Sequence, residues 1–250
     1  EYGVPGDTSH LRRLVHGTIM HGEQYMGPAM RGLLPTYYTP PSGTGAAIRS
    51  KQSHPVRVGV VGLGTGTIAA YGRKGDFYKY YDIDANVIRM AKSEFTFVSD
   101  SKAQVDIALG DARLTLEREP PQNFDVLAID AFSSDAIPVH LITREALQVY
   151  MRHMKPDGIV AFHVSNRFLN LIPVVARLAQ ELELKAVLVE DDPPDDDKTL
   201  RSRSDWVLVS RDAKALAAKE IEDAGGIEAE DKPDWRTWTD DYSNLIQILK

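Results

Sequence analysis

The sequence predicts an α/β fold built on a mostly parallel sheet, and three observations carry that expectation. From Val56 onward, short apolar runs alternate with amphipathic stretches. The first run ends in a glycine-rich turn, Gly62-Leu63-Gly64-Thr65-Gly66. Carboxylates then stand at the ends of the following runs, at Asp82, Asp111 and Asp130. Alternating strand and helix signals of this kind are what a parallel sheet covered on both faces requires.

Taken in order, residues 1–50 are rich in Gly, Pro, Tyr and His and read as a small β-rich layer, with residues 11–15 strand-like; residues 51–250 read as the main domain. Seven strands are predicted in the latter, at 56–61, 77–81, 105–109, 124–129, 159–163, 186–189 and 206–209. A helix is expected from about Thr67. Asp84 should cap another running through Met90 and Lys92, with Val87, Ile88 and Ala91 on one face. Thr143 caps a helix carrying Leu147, Tyr150 and Met151. Lys155-Pro156-Asp157-Gly158 reads as a turn, and 171–182 as a helix. Residues 190–197, acidic and Pro-rich, read as a solvated hairpin tip rather than a cation site.

Bulk properties narrow the function. At 250 residues the chain can bury one full core. A net charge of -7 argues against a nucleic-acid backbone as partner, because the surface would repel phosphate. The absence of cysteine excludes disulfides, thiolate metal sites and Cys nucleophiles. No apolar run is long enough to span a bilayer and no signal peptide is visible. The start at Glu1 suits a piece of a longer protein.

The chemistry concentrates at the strand ends. Glycines at 62, 64 and 66 let a ligand approach the backbone, and the segment after them offers free N–H groups. Asp82, twenty positions beyond Gly62, is placed to accept two ribose hydroxyls. Gly110-Asp111-Ala112 follows the third strand. Singly, Asp82, Asp84 and Asp111 read as helix caps; at consecutive strand ends they read as a nucleoside site. The turn is Gly-x-Gly-x-Gly rather than the Gly-x-Gly-x-x-Gly of a dinucleotide fingerprint. This favours an adenosyl-sulfonium ligand on the loop 58–67. A second constellation, Asp130-Ala131-Phe132-Ser133-Ser134-Asp135-Ala136-Ile137-Pro138, puts two acids on one loop. They are suited to hold an ammonium group and remove its proton, because an amine attacks only when neutral. His16 and His21 lack a third ligand and read as packing or hydrogen-bonding residues, so no metal is expected.

Asp82-Ile83-Asp84, Gly110-Asp111-Ala112 and the 130–138 loop resemble the landmarks of the spermidine synthase (aminopropyltransferase) family, over a span from about Leu11 to the C-terminus. Within it, residues 14–24, 157–166 and Trp238-Thr239-Asp240-Asp241-Tyr242-Ser243 are similar to the subset fused behind membrane-spanning segments. The resemblance implies a Rossmann-like S-adenosylmethionine-dependent transferase fold. It further implies ribose binding by Asp82, adenine binding by Asp111, with Ile83 and Ala112 beside them, and an amine oriented and deprotonated by Asp130 with support from Asp135. Gln24, Tyr37 and Tyr38 would line the entrance. It also implies an N-terminal membrane module, a location on the cytoplasmic side of the cell membrane (cytoplasmic if free-standing), and either a homodimer through the N-terminal layer or a monomer.

Two departures bear on the reaction. The family's glycine loop normally carries an Asp that holds the aminopropyl ammonium of decarboxylated S-adenosylmethionine; here Thr65 stands there. Loss of one opposed charge pair, roughly 1–4 kcal/mol at surface-like dielectric, removes a basis for choosing between decarboxylated and intact S-adenosylmethionine. Tyr37-Tyr38-Thr39 also replaces the family's Tyr-His-Glu or Tyr-Gln-Glu. The leading expectation is an aminopropyltransferase-like enzyme with a polyamine or other amine acceptor, releasing 5′-methylthioadenosine without a metal. The alternatives are an enzyme acting on intact S-adenosylmethionine (lyase, cyclising or methyl transfer) and a cofactor-sensing domain without turnover.

Overall fold

In the computed structural model, which describes residues 1–5, 7, 9–16, 19–131, 138–194 and 201–250, two strands, β1 (Leu11–His16) and β2 (Ile19–Tyr25), pair as an antiparallel ribbon. Helix α1 (Gly43–Lys51) follows, its N-terminus capped by Ser42, whose side chain accepts the Gly45 amide. The remaining elements are β3 (Arg57–Val61), a 3-10 turn (Thr67–Tyr71), β4 (Phe77–Asp82), α2 (Ala85–Ser93), α3 (Phe97–Asp100), β5 (Gln104–Leu109), α4 (Ala112–Arg118), β6 (Phe124–Ile129), α5 (Arg144–Arg152), β7 (Met154–His163), α6 (Ile172–Glu181), β8 (Lys185–Asp191), β9 (Ser204–Ser210), α7 (Ala213–Leu216), α8 (Lys219–Asp223) and β10 (Ile227–Glu228).

The large sheet has the order β10-β8-β9-β7-β6-β3-β4-β5. β5, β4, β3, β6 and β7 run parallel; β9 enters antiparallel to β7 and to β8. The fold is thus the expected α/β architecture, with β10 as a two-residue antiparallel edge added to the seven predicted strands. Every residue of β6 is buried, as a central parallel strand demands. Val126 and Ala128 face a core shared with α1, while Leu127 and Ile129 face one shared with α5 and α6. Among the described residues no helix is long and apolar enough to cross a membrane.

Four expectations change. Residues 155–158 do not turn: they continue β7, and the pairing with β6 shifts register between Phe124 and Val126, which absorbs Pro156 as an irregularity. Lys51 pins the segment by donating to the carbonyl and carboxylate of Asp157 at 2.6 and 2.9 Å. The helix expected from Thr67 is a five-residue 3-10 turn that Gly72 ends. The acidic run starts inside the sheet: Asp191 is buried on β8, pairs with Arg201 and accepts the Thr39 hydroxyl at 3.0 Å, while residues 195–200 lie outside the described residues. Helix α1, unforeseen within the 1–50 layer, is almost wholly buried.

Helix α1 approaches its neighbours through glycine. A methyl group on Gly45 would fall on the carbonyl oxygen of Thr39 and the hydroxyl of Tyr71. Overpacking of this kind costs about 1–3 kcal/mol. Gly45→Ala should therefore lower the urea midpoint clearly, whereas Gly32→Ala, with nothing within 4 Å of the added carbon, should leave it unmoved. Equal midpoints would refute the packing argument.

Candidate active site

Chain order creates the cleft. From β3 the chain steps outward through β4 to β5, then returns to β6 on the other side of β3. In open parallel sheets ligands sit outside the strand ends at such a reversal. Here a cleft of about 540 Å³ opens there, lined by Gly62, Gly64, Asp82, Asp84, Asp111 and Asp130, with Tyr37, Tyr38, Ile83, Ala112 and His163 among the further wall residues. That is within the range of small-ligand sites, roughly 300–1,000 Å³.

The glycine loop is held from β4. Asp82 accepts the amides of Leu63 (2.8 Å) and Asp84 (2.9 Å), so the loop and the start of α2 share one carboxylate. Burial pushes the Asp82 carboxyl above its ordinary value, and the Asp84 charge adds to this against the two amides. Gly62, Gly64 and Gly66 all have left-handed φ, at 94°, 53° and 83°. Thr65 turns away from the cleft: it is buried under Gly22 of β2, with its hydroxyl 2.8 Å from that of Thr67. Gly66 faces Val98 and Leu63 rather than the cleft.

Asp84 and Asp111 do cap helices, α2 and α4, accepting the amides of Asn86 (2.8 Å) and Leu114 (2.9 Å), and both also line the cleft. The second oxygen of Asp111 lies 2.8 Å from His140 Nε2. Burial pushes the Asp111 carboxyl up, but the Leu114 amide and the His140 ring together hold it below its ordinary value.

At the other end, Asp130 follows β6 and is nearly enclosed. One oxygen accepts the Tyr38 hydroxyl; the other lies 2.7 Å from His163 Nδ1. Burial, reinforced by the Asp130 charge, holds both Tyr37 and Tyr38 well above the ordinary phenol value, so they stay neutral. The Tyr37 ring lies 4.7 Å from the His163 ring, which stacks on Trp206 at 4.5 Å.

Of the predicted site residues, Gly62, Gly64, Asp82, Ile83, Asp111, Ala112, Asp130, Tyr37 and Tyr38 therefore meet on one cleft. Gln24 does not: it is buried, its Nε2 donates to the Arg31 carbonyl and the Thr96 hydroxyl, and its Oε1 accepts the Thr96 amide, so it ties β2 to the segment before α3. Asp135 lies outside the described residues. His21 reaches the cleft wall, and among the described residues no group of three potential ligands could hold a metal. His163, Ser165 and His140 were missed. The signal for His163 and Ser165 was present, since His163 ends the fifth predicted strand and Ser165 follows it, where the neighbouring strands carry their acids.

No family model matches the chain. A stretch of 121 residues is 30% identical to the polyamine aminopropyltransferase of Vibrio vulnificus (strain CMCP6), covering 46% of this chain and only 38% of that relative's length. A probable spermidine synthase from Corynebacterium glutamicum superposes with a TM-score of 0.53 over 79% of this chain and 80% of its own, at 20% identity. Human methyltransferase-like protein 13, in complex with SAH, gives 0.51 over 79% and 92%, at 17% identity. The fold is the Rossmann-like α/β fold that these two structures share. The sequence likeness, over less than half of either chain, is to a polyamine aminopropyltransferase.

A depressed carboxyl contributes stability above its unfolded value and loses it as pH falls through the folded one. Asp111→Ala should thus cost about 1 kcal/mol at neutral pH, as loss of a helix cap does. The difference from wild type should shrink as pH drops below 3.8, the ordinary value. Urea denaturation at both pH values reads this; a constant difference would contradict the capping account.

Proposed function

We propose that the chain is an aminopropyltransferase-like enzyme, which joins an amine to the propyl carbon of an adenosyl-sulfonium substrate and releases 5′-methylthioadenosine. One observation carries the reading: carboxylates at three successive parallel strand ends, Asp82, Asp111 and Asp130, border a single cleft whose lining contains no Lys or Arg among the described residues. Such a cleft favours a cationic sulfonium and a cationic amine together. Asp82 would take the ribose hydroxyls and Asp111 the adenine amino group, flanked by Ile83 and Ala112. Gly62 and Gly64 would admit the nucleoside to the backbone, and Asp130 would orient the amine. Tyr37 and Tyr38 would wall the amine end, and Asp135 fits the same role of support. The sulfonium is its own leaving group, so the protein's task is alignment.

The donor follows from Thr65. Its hydroxyl is engaged by Thr67 and brings no charge to the cleft, so intact S-adenosylmethionine competes with the decarboxylated form as substrate. The resemblance of residues 14–24, 157–166 and 238–243 to membrane-fused relatives supports attachment to an N-terminal membrane module on the cytoplasmic side.

Two measurements test this. Incubation with each donor and a diamine should release methylthioadenosine, and Asp130→Asn should cut the rate by about 10²–10⁴-fold while sparing nucleoside binding. Release of S-adenosylhomocysteine would support methyl transfer instead, and binding with no turnover a sensing role. Ribose hydroxyls favour ionised Asp82, so binding should release a proton, and affinity should rise with pH, in the window just above 3.8. Calorimetry in buffers of different ionisation enthalpy reads that proton; buffer-independent heats there would rule out Asp82 as the ribose ligand.

A further inference from the structure

Asp130 does not present a bare carboxylate to the cleft. Tyr38 donates to one oxygen and His163 Nδ1 lies 2.7 Å from the other. Beyond the ring, His163 Nε2 is 2.9 Å from Ser165 Oγ, which also accepts the Asp205 amide at 2.7 Å. A carboxylate only accepts, so Nδ1 carries the ring proton and Nε2 is the acceptor. The Asp205 amide occupies a lone pair of Ser165, which leaves the hydroxyl proton free to point at Nε2. Stacking on Trp206, with 11° between the planes, fixes the ring. Ser165, unlike the nearly enclosed imidazole, is only partly buried, and it lines the cleft alongside Asp130. Asp130, His163 and Ser165 form a carboxylate–imidazole–hydroxyl chain whose accepting end opens on the site.

In such a chain the carboxylate orients the ring and stabilises its charged form, and the imidazole takes the proton. We infer that His163, acting through the Ser165 hydroxyl, is the base for the attacking amine, and that Asp130 holds the resulting imidazolium rather than accepting the proton. This rests on the alkyl-transfer reading above. The step balances: an ammonium N–H bond breaks, its proton passes to Ser165 Oγ, and the Ser165 proton passes to Nε2. The freed nitrogen pair forms the new C–N bond as the C–S bond breaks, and that bond's pair stays on sulfur as a neutral thioether. The imidazolium then gives its proton to water.

Groups facing the ring from the surrounding elements are Asp130 after β6, Tyr37 from the segment before α1, with Tyr38 beside it on Asp130, Ser165 after β7, and the Trp206 indole of β9. The tyrosines stay neutral throughout. Histidine is the side chain that ordinarily changes charge between about pH 5 and 8, where a base must accept a proton and return it.

Histidine-selective ¹⁵N NMR of the intact chain reads the tautomer without any turnover. The Nδ1–H form is expected; an Nε2–H neutral ring would overturn the assignment. In kinetics, His163→Gln can still donate to Asp130 but cannot take a proton. It should lower kcat by about 10²–10⁴-fold, leave nucleoside affinity unchanged, and remove the acid limb of the kcat profile. Ser165→Ala should lower kcat likewise and Ser165→Thr should restore most of it. An acid limb that survives in His163→Gln, with most of kcat retained, would overturn the base assignment and leave the transfer reading standing. A wild-type chain that releases no methylthioadenosine sinks the transfer reading instead, and the tautomer still decides whether this chain is built as inferred.

Discussion

The Asp130 amide donates to the Val61 carbonyl across 2.9 Å, and Gly62, at φ 94°, lies so close to the Asp130 carbonyl that any side chain would strike it. This junction between β3 and β6 brings the glycine loop within reach of Asp130, though 68 positions of sequence part it from Gly62. It also sets the reversal in strand order that opens the crevice. β4 and β5 then deliver Asp82 and Asp111 to the same rim by plain parallel register: Asp82 pairs with Leu109, one residue before Gly110. The cleft is thus a consequence of connectivity, and the loops decorate it.

Each acid on that rim also serves the fold. Asp84 and Asp111 cap helices, and Asp82 holds two amides of the loop and of α2. These bonds do not exhaust the carboxylates, each of which accepts up to about four hydrogen bonds. Burial and neighbouring groups pull in different directions at Asp82 and Asp111, with the net effect of raising Asp82 and lowering Asp111. At Asp82 burial, with the Asp84 charge added to it, outweighs two amides and the His21 charge, whereas at Asp111 the Leu114 amide and the His140 imidazole outweigh burial.

The sheet was legible because its signals are local. Strand runs, Asp84 and Thr143 as caps, and the strand-end acids are all written within a few residues. What was not legible depends on distant packing. Residues 155–158 carry Pro and Gly and look like a turn, yet Lys51 from α1 and the register shift against β6 keep them in the strand. Asp191 looked solvated because its run is acidic; Arg201 and Thr39, which neutralise and bond it, come from β9's side and from before α1. Gln24 was placed at the entrance by resemblance, but its amide is complementary to Thr96 and Arg31. His163 was read as the last residue of a strand, since one histidine carries no motif until Asp130 and Ser165 are seen on either side.

These long-range contacts converge on the layer that precedes the sheet. Tyr37 and Tyr38 sit in a segment fixed by the Asp191 acceptor at Thr39, by a backbone bridge between Thr36 and Arg201, and by the Tyr71 hydroxyl donated to the Tyr38 carbonyl at 2.7 Å. Gly22 of β2 leaves room for Thr65, so this residue of the glycine loop is covered by the same layer. An acid at position 65 would be buried there beside Thr67, at a desolvation cost of several kcal/mol. Loop and layer have therefore to change together: the Asp130 end of the cleft is set by the fit of residues 20–40 onto the sheet, while the end bordered by Asp82 and Asp111 is set by the sheet itself.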